Sequence, residues 1–399
     1  MKKILIFSHA MEIGGAERAL IGLLETIDTT KYQVDLFLMR HEGELLKYIP
    51  EGIHLLPENK QYSCMAVPFG TVLKRRGFGV AVGRFLGKQN AARRVKELCL
   101  TGENDVALEY SHKYTLPFLP TISDETYDLA ISFLTPHYYV ARKVKAKTKI
   151  AWIHTDYGIV ATDRESQRSM WDAYDWIASI SENVTEGFLK AFPELEKKIL
   201  LIPNIMPMRY LDSMTKAFSV EQEMPADGSI RLLSVGRFCS AKNFDNVPDI
   251  CRRLREKGYP VKWYLIGFGG DESLIRQKIM EAGMEEYVIV LGKKENPYPY
   301  IAACDLYVQP SRYEGKCVSV IEAQILHKPV IITNYATSGS QLRDGYDGVI
   351  VPLDNEGCAE GIAAVIEDKP LQNLLAENTK KQDYTNAGVI HKLYKLIEG

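Results

Sequence analysis

Apolar runs of strand length alternate with longer helical patterns along almost the whole chain, an order that predicts parallel sheets with helices on both faces. In the first half the pattern predicts strands at Lys3–Ser8, Val34–Met39, Ile53–Leu56, Leu129–Phe133, Ile150–His154, Trp176–Ile180 and Ile199–Ile202. Their near-continuous apolar character is that of strands covered on both faces. Pro203-Asn204-Ile205-Met206-Pro207 then interrupts the pattern, and the polar stretch 208–229 reads as a boundary and linker. The alternation restarts with strands at Ile230–Val235, Val261–Ile266, Val288–Leu291, Leu306–Gln309, Val330–Thr333 and Gly348–Val351, and helical patterns close the chain at 355–378 and 384–398. The division this gives is a Rossmann-like domain over 1–205, a second over 206–378 and a C-terminal helix over 379–399, for which packing back on the first domain is one arrangement. Residues 60–125 break the alternation and read as a partly helical insertion in the first domain.

Composition narrows the function classes. The chain has 399 residues, so two or three domains are expected. Lys and Arg number 49 against 51 Asp and Glu, a net charge of −2, so no global field attracts nucleic acid. The 7 cysteines are scattered, without a C-x-x-C pair, which speaks against a disulfide framework or a cysteine zinc site and for a reducing compartment. The opening run Lys3–Phe7 soon meets His9, Glu12 and two glycines, and reads as a buried first strand rather than a signal peptide. No run approaches the roughly 18 apolar residues of a spanning helix. The expectation is a cytoplasmic protein, at most peripheral on the membrane. Between 70 and 98 lie eight basic residues, Lys74, Arg75, Arg76, Arg84, Lys88, Arg93, Arg94 and Lys96, against one acidic residue, Glu97, with Phe78, Phe85 and Leu86 interspersed and Phe69 just before. Either this is a solvated basic face, or it meets anionic headgroups or a pyrophosphate-bearing acceptor.

Four segments carry candidate chemistry, each just after a predicted strand. Gly14 and Gly15 open a helix after the first strand, where backbone amides can approach an anion closely; an ordinary strand–helix turn is the plainer reading. Gly236-Arg237, with Lys242 shortly after, follows the first strand of the second domain. Two cations at a sheet's C-terminal edge suit a diphosphate leaving group. After Leu306–Gln309 the chain runs Glu314-Gly315-Lys316-Cys317 into an apolar helix carrying Glu322. An unpaired carboxylate there would be costly to bury, so either ribose hydroxyls satisfy it or it offsets the helix dipole. His154 and Asp156 end a first-domain strand, though a core histidine is the commoner fate of such a residue. Gly267-Phe268-Gly269-Gly270 covers part of a dinucleotide fingerprint but Glu272 breaks it. The sequence has no phosphate-loop lysine motif, no H-E-x-x-H and no D-x-D, so a site without metal is expected.

Gly14-Gly15-Ala16-Glu17, Gly236-Arg237 with Lys242, and Glu314 and Glu322 separated by seven residues occur in this order. The set resembles the retaining glycosyltransferases of family four, which have the GT-B fold: two Rossmann-like domains with parallel sheets facing an interdomain cleft. The resemblance spans essentially the whole chain and is strongest over 230–353. Tyr313–Gln324 and Lys328–Thr333 look most like its bacterial capsule and exopolysaccharide branch. The resemblance implies that Arg237 and Lys242 grip the donor diphosphate, Glu322 holds the ribose and Glu314 lies against the transferred sugar. It further implies that amides of Gly315, Lys316 and Cys317 contact sugar hydroxyls, that Gly14, Gly15 and Gly236 serve the donor site, and that His154 lies near the donor sugar. Lys316-Cys317 stands where many relatives have Phe-Gly, and Asn204-Ile205-Met206-Pro207 where they have Asn-Gly-Val-Asp. The expected partners are a UDP-linked sugar and a saccharide or polyprenyl-linked acceptor, with no cofactor and no nucleic acid. Two rivals remain at this point: an epimerase on the same fold, which consumes donor without acceptor, and a non-catalytic sugar-nucleotide-binding subunit.

Overall fold

A computed structural model describes residues 1–12, 14–75, 77–100, 104–155, 157, 160–314 and 316–398. Arg76, Asp156 and Gly315 lie outside this set. The chain divides into two compact units, Met1–Pro207 with Asn386–Gly399, and Met208–Thr385.

The first unit holds seven strands: β1 Lys2–Ser8, β2 Tyr32–Leu38, β3 Ile53–Leu55, β4 Thr126–Ser132, β5 Lys145–Ile153, β6 Trp176–Ser179 and β7 Ile199–Leu201. All pair in parallel, in the order β3-β2-β1-β4-β5-β6-β7. The second unit holds six: β8 Ile230–Val235, β9 Val261–Ile266, β10 Val288–Gly292, β11 Leu306–Gln309, β12 Val330–Thr333 and β13 Val349–Val351. These are also parallel, in the order β10-β9-β8-β11-β12-β13. Every strand read from the sequence forms; the central strands are apolar runs buried between helical layers, while the edge strands β3, β7, β10 and β13 are mostly half-buried.

Strand order reverses at the β1/β4 pair in one sheet and at the β8/β11 pair in the other. Connections leaving the two strands there run to opposite faces of the sheet, which opens a crevice beyond the strands' C-terminal ends. The loops after β1 and β4, and after β8 and β11, rim these crevices.

Two regions depart from the sequence reading. The stretch expected as a linker, 208–229, opens with helix Met208–Thr215, with Tyr210 and Leu211 buried. Tyr210 packs edge-on against Tyr298, 6.1 Å between ring centres, which gives the helix an apolar seat in its own unit. The insertion is a helical layer in which Phe78–Glu97 packs along Val106–Thr115 and Phe69–Lys74 packs against the long helix. Gly79, Gly83 and Gly87 line one side of the long helix. A Cβ on Gly83 would stand 2.7 Å from the Tyr114 carbonyl oxygen, and one on Gly87 2.8 Å from that of Tyr110. The glycines therefore let two helix backbones touch. Among the described residues no helix is long and apolar enough to cross a membrane.

Candidate active site

The second unit brings Lys242 and Glu314 together at its switch point. β8 ends at Val235 and the chain turns at Gly236, where a Cβ would come within 3.0 Å of Lys242 Cε. Glycine there lets the lysine stem lie across the turn. The short 3-10 turn Ser240–Lys242 then aims the ammonium at the loop after β11. Lys242 Nζ donates to Glu314 Oε1 at 2.5 Å, and the Ser311 hydroxyl donates to the same oxygen at 2.7 Å. Ser311 is buried and in turn accepts from Gln309 Nε2 at 3.0 Å. Arg312 ties the two loops: its amide donates to the Ala241 carbonyl at 2.8 Å, and its guanidinium clasps both oxygens of Asp245 at 2.8 and 2.7 Å. The site is thus held before any ligand arrives.

Burial is the largest influence on Lys242 and works against its charge, yet the Cys317 sulfur and the Glu314 carboxylate together hold its pKa above the ordinary lysine value. Cys317 Sγ lies 3.6 Å from Lys242 Nζ. Burial also raises the Cys317 pKa, so it is a thiol near neutrality and Glu314 supplies the neighbouring anion. Arg237 is exposed and makes no hydrogen bond or ion pair among the described residues. Lys316 is also exposed, and Gly315 lies outside the described residues. The buried Cys317 backbone is held on both sides by Gln341, whose Oε1 accepts from the Cys317 amide at 2.7 Å.

Glu322 is buried on helix Val318–Ile325, as the costly carboxylate of the sequence reading requires. The protein satisfies part of it: the Tyr298 hydroxyl donates to Glu322 Oε1 at 2.9 Å. A ribose would share Glu322 with this tyrosine. Sequence reasoning also missed Tyr335. Among the described residues its hydroxyl is buried without a partner, and its pKa is raised by burial and by the nearby Cys317 and Glu314. A tyrosine 21 residues beyond Glu314 carries no spacing signal; only the fold brings it there.

Gly267 and Gly269 have a packing role. A Cβ on Gly267 would fall 1.8 Å from the Gly236 carbonyl oxygen, and one on Gly269 2.2 Å from that of Phe238. These glycines let the loop after β9 press on the Arg237 turn, which accounts for the partial fingerprint without a dinucleotide.

In the first unit Gly14 caps helix Gly15–Thr26 with extended backbone and no side-chain cap of its own, and the Glu17 carboxylate folds back on the first turn to accept from its own amide. A Cβ on Gly14 would strike the Glu17 carboxylate, whereas one on Gly15 would meet nothing within 4 Å. His154 follows β5 and packs at a tilt on Phe133, 4.8 Å between ring centres. Burial pushes its pKa down to about 4, so it is neutral at pH 7. One ring nitrogen hydrogen-bonds to the Phe133 backbone, while Nε2 is buried without a partner among the described residues. With the other nitrogen donating, Nε2 is left as an acceptor, suited to a hydroxyl. His9, on the loop after β1, likewise has an unpartnered Nε2 and a pKa lowered by burial and then by Arg40. Asp156 lies outside the described residues. Among the described residues, no group of three or more His, Cys, Asp or Glu side chains is placed to hold a metal ion.

Residues 215–382 match the family model "Glycosyl transferases group 1". Over 398 aligned residues, covering 95 % of this chain and 94 % of the relative, the chain is 24 % identical to the N-acetylgalactosamine-N,N'-diacetylbacillosaminyl-diphospho-undecaprenol 4-alpha-N-acetylgalactosaminyltransferase of Campylobacter jejuni. Among solved structures it resembles Anabaena Alr3699/HepE in complex with UDP and glucose, with a TM-score of 0.63 and 16 % identity over the full length of both chains. It also resembles a variant of S. aureus TarM in complex with Fondaparinux, alpha-GlcNAc-glycerol and UDP, with a TM-score of 0.64, 13 % identity and full coverage of both chains.

Proposed function

We propose that this chain, whose residues 215–382 match the group 1 glycosyl transferase model and whose fold is that of GT-B structures, is a retaining transferase of family four. On this reading it moves a sugar from a UDP-linked donor to a saccharide or lipid-linked acceptor in surface polysaccharide synthesis, of the capsule or exopolysaccharide kind. The observation that carries the reading is the Lys242–Glu314–Ser311 cluster, with the unpaired Arg237 on the same turn, at the β8/β11 switch point.

The second unit takes the donor. Arg237 and Lys242 meet its diphosphate, whose negative charge grows as the bond from the anomeric carbon to the phosphate oxygen breaks. Lys242 is already oriented by Glu314, so no reorganisation is needed at that moment. The diphosphate oxygen takes the acceptor's proton as the new bond forms on the face the leaving group vacates, which gives retention. Glu322 with Tyr298 holds the ribose, and Tyr335 offers its hydroxyl to the sugar or phosphate. Of the loop amides that the resemblance assigns to sugar hydroxyls, that of Cys317 is already taken by Gln341, which leaves Lys316 among the described residues. The first unit takes the acceptor; as the resemblance implies, Gly14 and Gly15 serve the donor diphosphate and His154 lies near the donor sugar, its Nε2 an acceptor for a hydroxyl. A relative that acts on a diphospho-undecaprenol compound, and structural neighbours holding UDP, support these substrate classes.

The test is transfer by Lys242→Ala and Glu322→Ala. Each is expected to lose at least ~100-fold, the scale of removing one charge-stabilising group, with UDP binding followed by calorimetry and folding by thermal melting. Near-normal turnover in both variants rejects the site. Conversion of donor without acceptor points to epimerisation, and UDP binding without turnover to the non-catalytic subunit.

A further inference from the structure

The long helix Phe78–Glu97 is turned inside out relative to an ordinary surface helix. Its buried side carries small residues, Gly83, Gly87, Ala81 and Ala91 among them. Its large apolar side chains face outward: Phe78 is 63 % exposed, Phe85 53 % and Val82 49 %. These positions follow helical spacing, four and three apart, and so form one stripe. Leu86 flanks it, and Phe69 and Leu73, four apart on the preceding helix Phe69–Lys74, are exposed as well. A helix that buries glycine and presents phenylalanine is not explained by its own fold.

Charge around the stripe is one-sided. Lys74, Lys88 and Lys96 are exposed and make no ion pair among the described residues. The acidic Glu97 is taken by Arg93 at 2.8 Å. Not every cation of the segment belongs to this face: Arg84 turns inward to the carbonyls of Cys64 and Val67 at 3.0 and 2.6 Å, and Arg94 pairs with the buried Asp163 at 2.7 Å. Along the helix the outer face thus begins apolar and ends cationic.

We infer that the outer face of helices Phe69–Lys74 and Phe78–Glu97 lies on an anionic lipid bilayer. The phenylalanines enter the headgroup–acyl boundary and the lysines meet lipid phosphates. Protein partners select aromatic residues with arginine and are depleted in lysine, whereas unpaired lysines beside exposed phenylalanines fit an interfacial helix, the stems lying along apolar surface and the ammonium groups in the headgroup layer.

The test uses the full chain and no donor, so its outcome is separable from that of the transfer reaction. Co-sedimentation is measured with vesicles of phosphatidylglycerol and phosphatidylcholine in equal parts, and with phosphatidylcholine alone. The wild type is expected to pellet with the anionic vesicles, and raising salt from about 0.05 to 0.5 M should weaken binding. Phe78→Ser with Phe85→Ser should lose at least ~10-fold in affinity, with an unchanged circular dichroism spectrum, since both side chains are exposed. Lys74→Gln, Lys88→Gln and Lys96→Gln together should remove most of the salt dependence. The inference fails if anionic vesicles leave the wild type in the supernatant, or if the double serine variant pellets as well as the wild type. It fails equally if the face proves to join two copies, seen as a concentration-dependent dimer that the serine variant dissolves.

Discussion

Tyr335 and the Lys242–Glu314 pair show how single side chains divide their work between stability and ligand. Lys242 is partnered in the free protein, so its truncation strands Glu314 besides removing the proposed donor contact. Tyr335 is the opposite case, because its buried hydroxyl has no partner to lose. Tyr335→Phe is therefore expected to leave the melting temperature unchanged or to raise stability by up to about 1 kcal/mol, the cost of a buried polar group being relieved. The same change should weaken binding of the UDP-sugar, read by calorimetry. A lower melting temperature with unaltered binding would show that Tyr335 packs rather than binds. At this scale Lys242, Glu314 and Glu322 were legible because cations and carboxylates beside strand ends are conspicuous. Ser311, Gln341, Tyr298 and Tyr335 were not, because ordinary polar residues acquire a role only from neighbours distant in sequence.

Helices and their turns obey a different accounting, one of contact between backbones. Gly83 sits where a Cβ would press on backbone atoms of Tyr114 and Thr115 at 2.7 and 2.8 Å. Gly83→Ala gains up to about 1 kcal/mol of helix propensity, but forcing two backbones apart costs about 1–3 kcal/mol. A net loss is expected, visible as a lower melting temperature. Gly15 is the control, since a Cβ there meets nothing. Gly15→Ala should melt like the wild type yet turn over more slowly if its amide approaches a ligand. Strands were the most legible elements, since an apolar run covered on both faces leaves few alternatives. The insertion was not, because its reading rests on helix phase. A rule that buries large apolar residues would have turned Phe78 and Phe85 inward, and counting charges alone would have placed Arg84 and Arg94 on the surface.

The two units differ in how they meet acid. The first buries His112 and His137, their pKa values pushed down to about 3 mainly by burial, and His154 at about 4 for the same reason. In each case the unfolded chain binds a proton below about pH 6.5 and the folded chain does not. The stabilisation is thus complete above 6.5 and is lost as pH falls from there towards 4, at about 1.4 kcal/mol per histidine per pH unit. Thermal melts between pH 7 and 5 should show the first unit destabilised, with His327 the one titrating histidine of the second, its pKa lowered more gently by a smaller burial. Indifference of the melt to this range would mean that these imidazoles are solvated.

Both chain ends belong to the first unit. The terminal helix Ile390–Glu398 stacks Tyr394 on Tyr32 at 4.7 Å between rings, and the Tyr394 hydroxyl accepts from the Asp28 amide at 2.9 Å. Lys2 Nζ reaches the carbonyl of Ile397 at 2.5 Å. During translation this unit is begun before the second and completed after it, for helix Ile390–Glu398 leaves the ribosome only once the whole second unit has been made. The second unit can fold while the first still waits for its final piece. A nascent chain arrested shortly after Thr385 would therefore present a finished second unit beside an unfinished, protease-sensitive first one.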